Sequence, residues 1–185
     1  MTAILLLLLA LAAVVWPILL YNNLVRARNR TREAWSGIDV QLKRRSSLIP
    51  NLVETVRGYA THEHEVFTQV AQARGALAKA TEPAAMAAAD GLLTQALGRL
   101  MAVAENYPQL QAVASFNQLQ AQLSDTEEKI AYARQFYNMN ALEFNTAIQS
   151  FPGNLVARQF RFEPVTFFQP EAGVEQDVKV TFSAA

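Results

Sequence analysis

From Ala3 to Leu20 every residue is apolar or is Pro17, and leucine dominates the run. At 1.5 Å per residue this stretch makes a helix of about 27 Å, close to the hydrocarbon thickness of a bilayer. The expectation is a transmembrane anchor over residues 1–21. A cleaved signal peptide and a buried core helix are the alternatives. Only Met1 and Thr2 precede the run, with no basic n-region, and the small-residue step Ala10-Leu11-Ala12 lies inside it. Both features favour a retained anchor over a cleaved signal. Trp16 and Tyr21 suit the aromatic belt of a membrane interface, and Pro17 is tolerated near the end of a span.

Arg26, Arg28, Arg30 and Arg32 follow the run at alternate positions, and no basic residue precedes it. The positive-inside bias then places the N-terminus outside and the following domain in the cytoplasm. These four arginines are candidate headgroup contacts, each worth about 1 kcal/mol near an anionic surface. The plainer reading is a solvated helix face. Over the whole chain 16 Lys+Arg balance 16 Asp+Glu, so charge does not point to a nucleic-acid partner. The absence of cysteine rules out disulfides and thiolate metal sites.

Behind the anchor the periodicity is helical. Trp35, Ile38, Leu42, Ile49, Leu52, Val53, Val56 and Ala60 recur at three- and four-residue steps, predicting one helix from Tyr21 to about Lys79 with a kink at Pro50. Thr81-Glu82-Pro83 marks a turn, with Thr81 as a candidate N-cap. A helix rich in Ala and Leu spans 84–105, and Asn106-Tyr107-Pro108 punctuates again. The last long helix is predicted over 109–150. Phe116, Leu119, Leu123, Thr126, Ile130, Ala133, Tyr137, Asn140, Phe144, Ala147 and Phe151 alternate three and four apart, and nine of these eleven are apolar. Such a seam argues for antiparallel packing on the other helices.

Phe151-Pro152-Gly153 is read as the end of the helical part. Beyond it Phe160, Phe162, Phe167 and Phe168 crowd together, and Val178, Val180 and Phe182 alternate like a short strand. A tail this aromatic is too apolar for a plain linker. It either folds back along the bundle or serves as a docking strip for a partner.

The fold class expected is therefore all-α: an anchor over residues 1–21, an antiparallel long-helix bundle of three to four helices over 22–152, and an irregular or strand-like tail over 153–185.

No Gly-rich phosphate loop, Gly-x-Ser-x-Gly elbow or recognisable catalytic triad pattern is present. No catalytic, cofactor-binding or metal-ligating residue is assigned. His62-Glu63-His64-Glu65 alone looks like metal chemistry, but residues two apart lie on different helix faces, so a solvated turn is the simpler account. Lys43, Arg44 and Arg45 form a basic run and are candidate partner contacts together with Phe160, Phe162, Phe167 and Phe168. Arg45 falls near the apolar stripe, where it would pair with a carboxylate such as Asp39, Glu54 or Glu127. Asn51, Asn117, Asn140 and Asn145 lie along the stripes and are read as register-setting.

The joint pattern resembles the LemA family. It is carried by Tyr21-Asn22-Asn23-Leu24-Val25, Ala34-Trp35-Ser36-Gly37-Ile38-Asp39, Leu48-Ile49-Pro50-Asn51-Leu52-Val53-Glu54, Gly58-Tyr59-Ala60, Ala102-Val103-Ala104-Glu105 with Tyr107-Pro108, Tyr137-Asn138, Phe144-Asn145 and Phe151-Pro152. Phe144 departs from the pattern, where a tyrosine is usual. The resemblance covers about residues 21–185. It implies a bacterial membrane helix with a helical bundle and brings no agreed catalytic residues. It also implies relatives that build magnetosome membranes and gene neighbours of HtpX-type membrane proteases.

The reading is a non-enzymatic interaction or scaffold protein of the bacterial cell membrane, serving membrane organisation or membrane-protein quality control. Its expected partners are membrane lipid, an envelope protein such as an HtpX-type protease, or a second copy of itself. A metal-dependent factor using His62–Glu65 and a carrier of lipid or small ligands are the alternatives.

Overall fold

The structure, a computed structural model, describes residues 1–168; the strand expected at Val178, Val180 and Phe182 lies outside them. The described chain is all-α. Four long helices and two short ones run in the order α1 (Thr2–Arg57), α2 (His64–Lys79), α3 (Pro83–Glu105), α4 (Pro108–Gln111), α5 (Ala114–Gln149) and α6 (Gly153–Gln159). They fall into two compact units. The first comprises Met1–Pro50 and Gln118–Phe167; the second comprises Asn51–Asn117 and, of the described residues beyond them, Phe168.

In the first unit α1 and α5 are antiparallel. As numbers rise along α1 their partners on α5 fall: Arg30 meets Glu143, Trp35 meets Tyr137, and Arg45 meets Glu127. On α1 the buried positions are Leu24, Thr31, Ala34, Ile38, Leu42, Arg45 and Ile49, a stripe at helical spacing. On α5 Leu123, Thr126, Ile130, Tyr137, Asn140 and Phe144 are buried, the seam expected from the alternation. Thr31 sits deep in this interface. Its Oγ1 lies 3.0 Å from the Ala27 carbonyl and 3.2 Å from that of Asn140, so one hydroxyl proton is shared between two helices.

The second unit is built on the α2–α3 hairpin. Phe67, Val70, Ala73 and Leu77 of α2 are buried, as are Leu93, Ala96, Leu97 and Leu100 of α3. Small alanines let the two backbones approach. Leu110 of α4 is fully buried.

Five expectations need correction. The helix expected over 21–79 is two helices, and the break falls at Gly58–Glu63, not at Pro50. Pro50 removes one backbone hydrogen bond, but Ile49 and Leu52 on either side are fully buried, and that packing outweighs the missing bond. Gly58 is a poor helix former, and burial of Ala60 draws the chain inward behind it. Second, Glu82 and not Thr81 occupies the N-cap of α3, with Pro83 behind it at the first turn. Third, the last long helix starts at Ala114, after a separate turn, α4. Asn51 and Asn117 are exposed, so neither sets register from within a core; Asn117 donates instead to the Gln111 carbonyl at 3.0 Å.

The fifth correction bears most on function. The helical part does not end at Phe151-Pro152-Gly153. It turns there and re-enters α6. Gly153 is required by close approach, because a Cβ would collide with the Ala147 carbonyl. The exit from α6 is a left-handed cap on a non-glycine residue. Arg161 has φ 53°, and the Phe162 N–H donates to the Ala157 carbonyl at 2.9 Å. This is the six-to-one bond of a Schellman ending, which folds the residue after the cap back onto the helix. That residue is Phe162.

Candidate interaction surface

The apolar run lies in the first 20 residues of α1, and none of that span is buried. A core helix would be covered, so the run fits a single-pass membrane anchor. Burial begins at once beyond it. Leu20 and Tyr21 already pack against a cluster of Leu24, Phe144, Ile148, Val156 and Ala157. No linker separates anchor from domain.

The four arginines divide by helix geometry. Alternate positions on an α-helix lie about 200° apart, so Arg26 and Arg30 share one side and Arg28 and Arg32 the other. Arg28 is half-buried with its guanidinium 5.0 Å over the Phe162 ring, and its Nε finds no acceptor among the described residues. Arg30 reaches Glu143 at 3.5 Å, with both side chains well exposed. Arg26 and Arg32 are exposed.

The basic run 43–45 also divides. Arg45 turns inward, 4% exposed, and its Nη1 lies 3.0 Å from Glu127. It is part of the α1–α5 interface and is withdrawn as a partner contact. Of the three carboxylates considered for it, Glu127 is the one it meets. Lys43 bonds Asp39 at 2.7 Å one turn earlier, and Arg44 reaches Asp125 at 3.3 Å. Asp125 also accepts from Lys129 at 2.8 Å, and this hydrogen bond is the main reason its carboxyl lies below the usual carboxylate range.

Among the described residues, the tail from Phe160 to Thr166 is folded back. Phe162 packs on Phe144 and on the edge of Tyr21, with ring centroids 6.3 and 5.8 Å apart. Val165 is held by Asn145: the amide Nδ2 donates to the Val165 carbonyl and the Oδ1 accepts its N–H, both at 2.9 Å. Tyr137 donates its hydroxyl to the Thr166 carbonyl at 2.7 Å, and burial pushes its phenol above the ordinary value of 10.0. Of the tail phenylalanines proposed as contacts, Phe160 is the exposed one. Phe162 and Phe167 are half-buried and Phe168 is fully buried, so Phe168 offers nothing to a partner. Phe144, where a tyrosine was usual, is also fully buried, and a hydroxyl there would need its own acceptor.

The sequence reading missed the outer face of α5. Tyr132, Phe136, Met139 and Leu142 are exposed, with Tyr132 and Phe136 stacked at 6.4 Å and nearly parallel. Tyr132 and Phe136 border a groove of about 500 Å³ between α1 and α5, lined also by Glu33, Gly37 and Gln41. The spacing of these residues was visible, but it is offset from the heptad seam and was hidden by it. In the second unit a shallower groove of about 310 Å³ carries Gln69 and Arg99, bonded at 2.8 Å.

Of His62–Glu65, the first two residues lie in the turn and the last two in the first turn of α2, with both histidines exposed. Among the described residues no three His, Cys, Asp or Glu side chains converge as a metal site.

The LemA family profile matches residues 34–182. The chain belongs to the LemA family. Magnetosome protein MamQ 2 of Paramagnetospirillum magneticum is 30% identical over 175 residues, covering 80% of this chain and 64% of the relative. The chain thus spans under two thirds of that relative's length. Magnetosome protein MamQ of Magnetospirillum gryphiswaldense is 29% identical over 187 residues, 86% of this chain and 69% of the relative. Protein LemA of Metamycoplasma hominis is 29% identical over 152 residues, covering 80% and 68%.

Proposed function

We propose that this LemA-family chain is a non-enzymatic scaffold of the bacterial cytoplasmic membrane, crossing it once with the N-terminus outside and the helical domain in the cytoplasm. The observation that carries the reading is the continuity of α1. One helix passes from an unpacked apolar run into the core of the domain, with Leu20 and Tyr21 already packed. Such a joint holds a platform against the bilayer instead of letting it swing on a tether. The collar of arginines just beyond the run supports the orientation.

The partner surface is the exposed face of α5. Tyr132, Phe136, Met139 and Leu142 make an apolar strip of the kind that receives a partner helix, and aromatic and methionine side chains are enriched in such contacts. The partner proposed is a membrane protein of the same bilayer, such as a protease of the HtpX type. Photo-crosslinking in cells from positions 136 and 139 tests this. A discrete adduct lost on Phe136→Asp is expected. Purification in mild detergent with no adduct, lipid or self-association would remove the proposal.

A further inference from the structure

A second patch of exposed apolar side chains lies on α6 and its flanks. Phe151 is 77% exposed, Leu155 59% and Phe160 57%. The opposite side of α6 is core: Val156 and Ala157 belong to the cluster against which Leu20 and Tyr21 pack. The position of the patch along α1 is therefore set by contact. The Phe160 ring lies 4.7 Å from that of Tyr21, the residue that directly follows the apolar run. If residues 3–20 fill the hydrocarbon layer, Tyr21 stands at its edge, and Phe160 stands beside it. Exposed Arg158 and Arg161 flank the apolar side chains. Aromatic and aliphatic residues interleaved with arginine, at the depth of a membrane boundary, are the composition of an interfacial element.

We propose that α6 and its flanks form a membrane foot, in which Phe151, Leu155 and Phe160 enter the headgroup–acyl boundary of the same bilayer that α1 crosses. The occupant of the patch is lipid because the anchor brings this face to the membrane before any diffusing partner reaches it. The arginines suit anionic headgroups. The foot makes a second point of attachment and fixes the rotation of the α1–α5 pair about the anchor, so the strip on α5 would face a constant direction. The inference rests on the reading of α1 as an anchor.

The chain has no cysteine, so single labels can be placed freely. Full-length protein with a nitroxide at Trp16→Cys, Leu155→Cys or Glu128→Cys would be reconstituted into phosphatidylcholine–phosphatidylglycerol vesicles. Collision with oxygen and with an aqueous nickel chelate then reports depth. The label at 155 is expected about 5–10 Å inside the boundary, comparable in depth to that at 16, while that at 128 reads as aqueous. An aqueous value at 155 with a buried value at 16 overturns the foot and leaves the anchor standing. An aqueous value at 16 overturns both. A label at 155 shielded from oxygen and nickel alike shows a protein contact and also overturns the foot.

Discussion

Asn145 and the backbone of Val165 satisfy one another completely: the amide donates to the carbonyl and accepts from the N–H, each at 2.9 Å. A side chain on α5 thereby acts as the missing strand for an extended tail. The pairing holds residues that would otherwise have no backbone partner against the α1–α5 pair.

Asn145→Ala should lose both bonds and destabilise the first unit by about 1–3 kcal/mol, since both backbone groups lose their partner. Asn145→Asp keeps an acceptor for the Val165 N–H but sets its second oxygen against the Val165 carbonyl, so it should lose at least as much as Ala. Urea denaturation in mild detergent, followed by circular dichroism, measures both; losses near zero for both would show that the bonds carry little.

Tyr137 should ionise late, because burial raises its folded value above 10.0. The folded state then holds this proton more tightly than the unfolded one. Its contribution is fully present below about pH 10 and is lost as pH rises through the folded value. Absorbance at 295 nm should show a late phase that Tyr137→Phe removes, with a loss of about 1 kcal/mol at neutral pH for the bond to Thr166.

Arg45 and Glu127 should respond asymmetrically. Glu127→Ala removes a carboxylate from a guanidinium that is 4% exposed and should destabilise by about 1–3 kcal/mol. Arg45→Met fills much of the same space without a charge, and its partner Glu127 can turn to water, so it should be milder. Denaturation midpoints of the two variants decide the sign; a harsher Arg45→Met would mean that the guanidinium is held chiefly by its other contacts.

The two ends of α6 make opposite predictions. Gly153→Ala drives a methyl into the Ala147 carbonyl and should be destabilising by about 1–3 kcal/mol. Arg161→Gly relieves a left-handed residue at φ 53° and should stabilise by up to about 1 kcal/mol. Thermal scans in detergent should move in opposite directions.

Legibility in the sequence followed the number of residues that voted for each feature. The α5 seam was readable because burial recurs over many turns and two polar exceptions, Thr126 and Asn140, do not hide it. The break after Arg57 was not, because proline is a stronger local signal than Gly58, and only the burial of Ile49 and Leu52 shows which signal yields. Asn145 was legible as a polar residue on an apolar face. Its partner was not, because the chain had to turn back through α6 before Val165 could reach it.

The sequence by itself determined the apolar run, the helical class, the antiparallel seam and the need of Arg45 for a carboxylate. These are properties of composition and period, and they hold whatever the loops do. The tertiary structure alone decided that Glu127 is that carboxylate, that Phe162 lies on Arg28, and that α6 sits beside Tyr21. Those pairings join residues far apart in the chain. They depend on where two tight turns send it, and a turn is set by a few local contacts that no periodicity records.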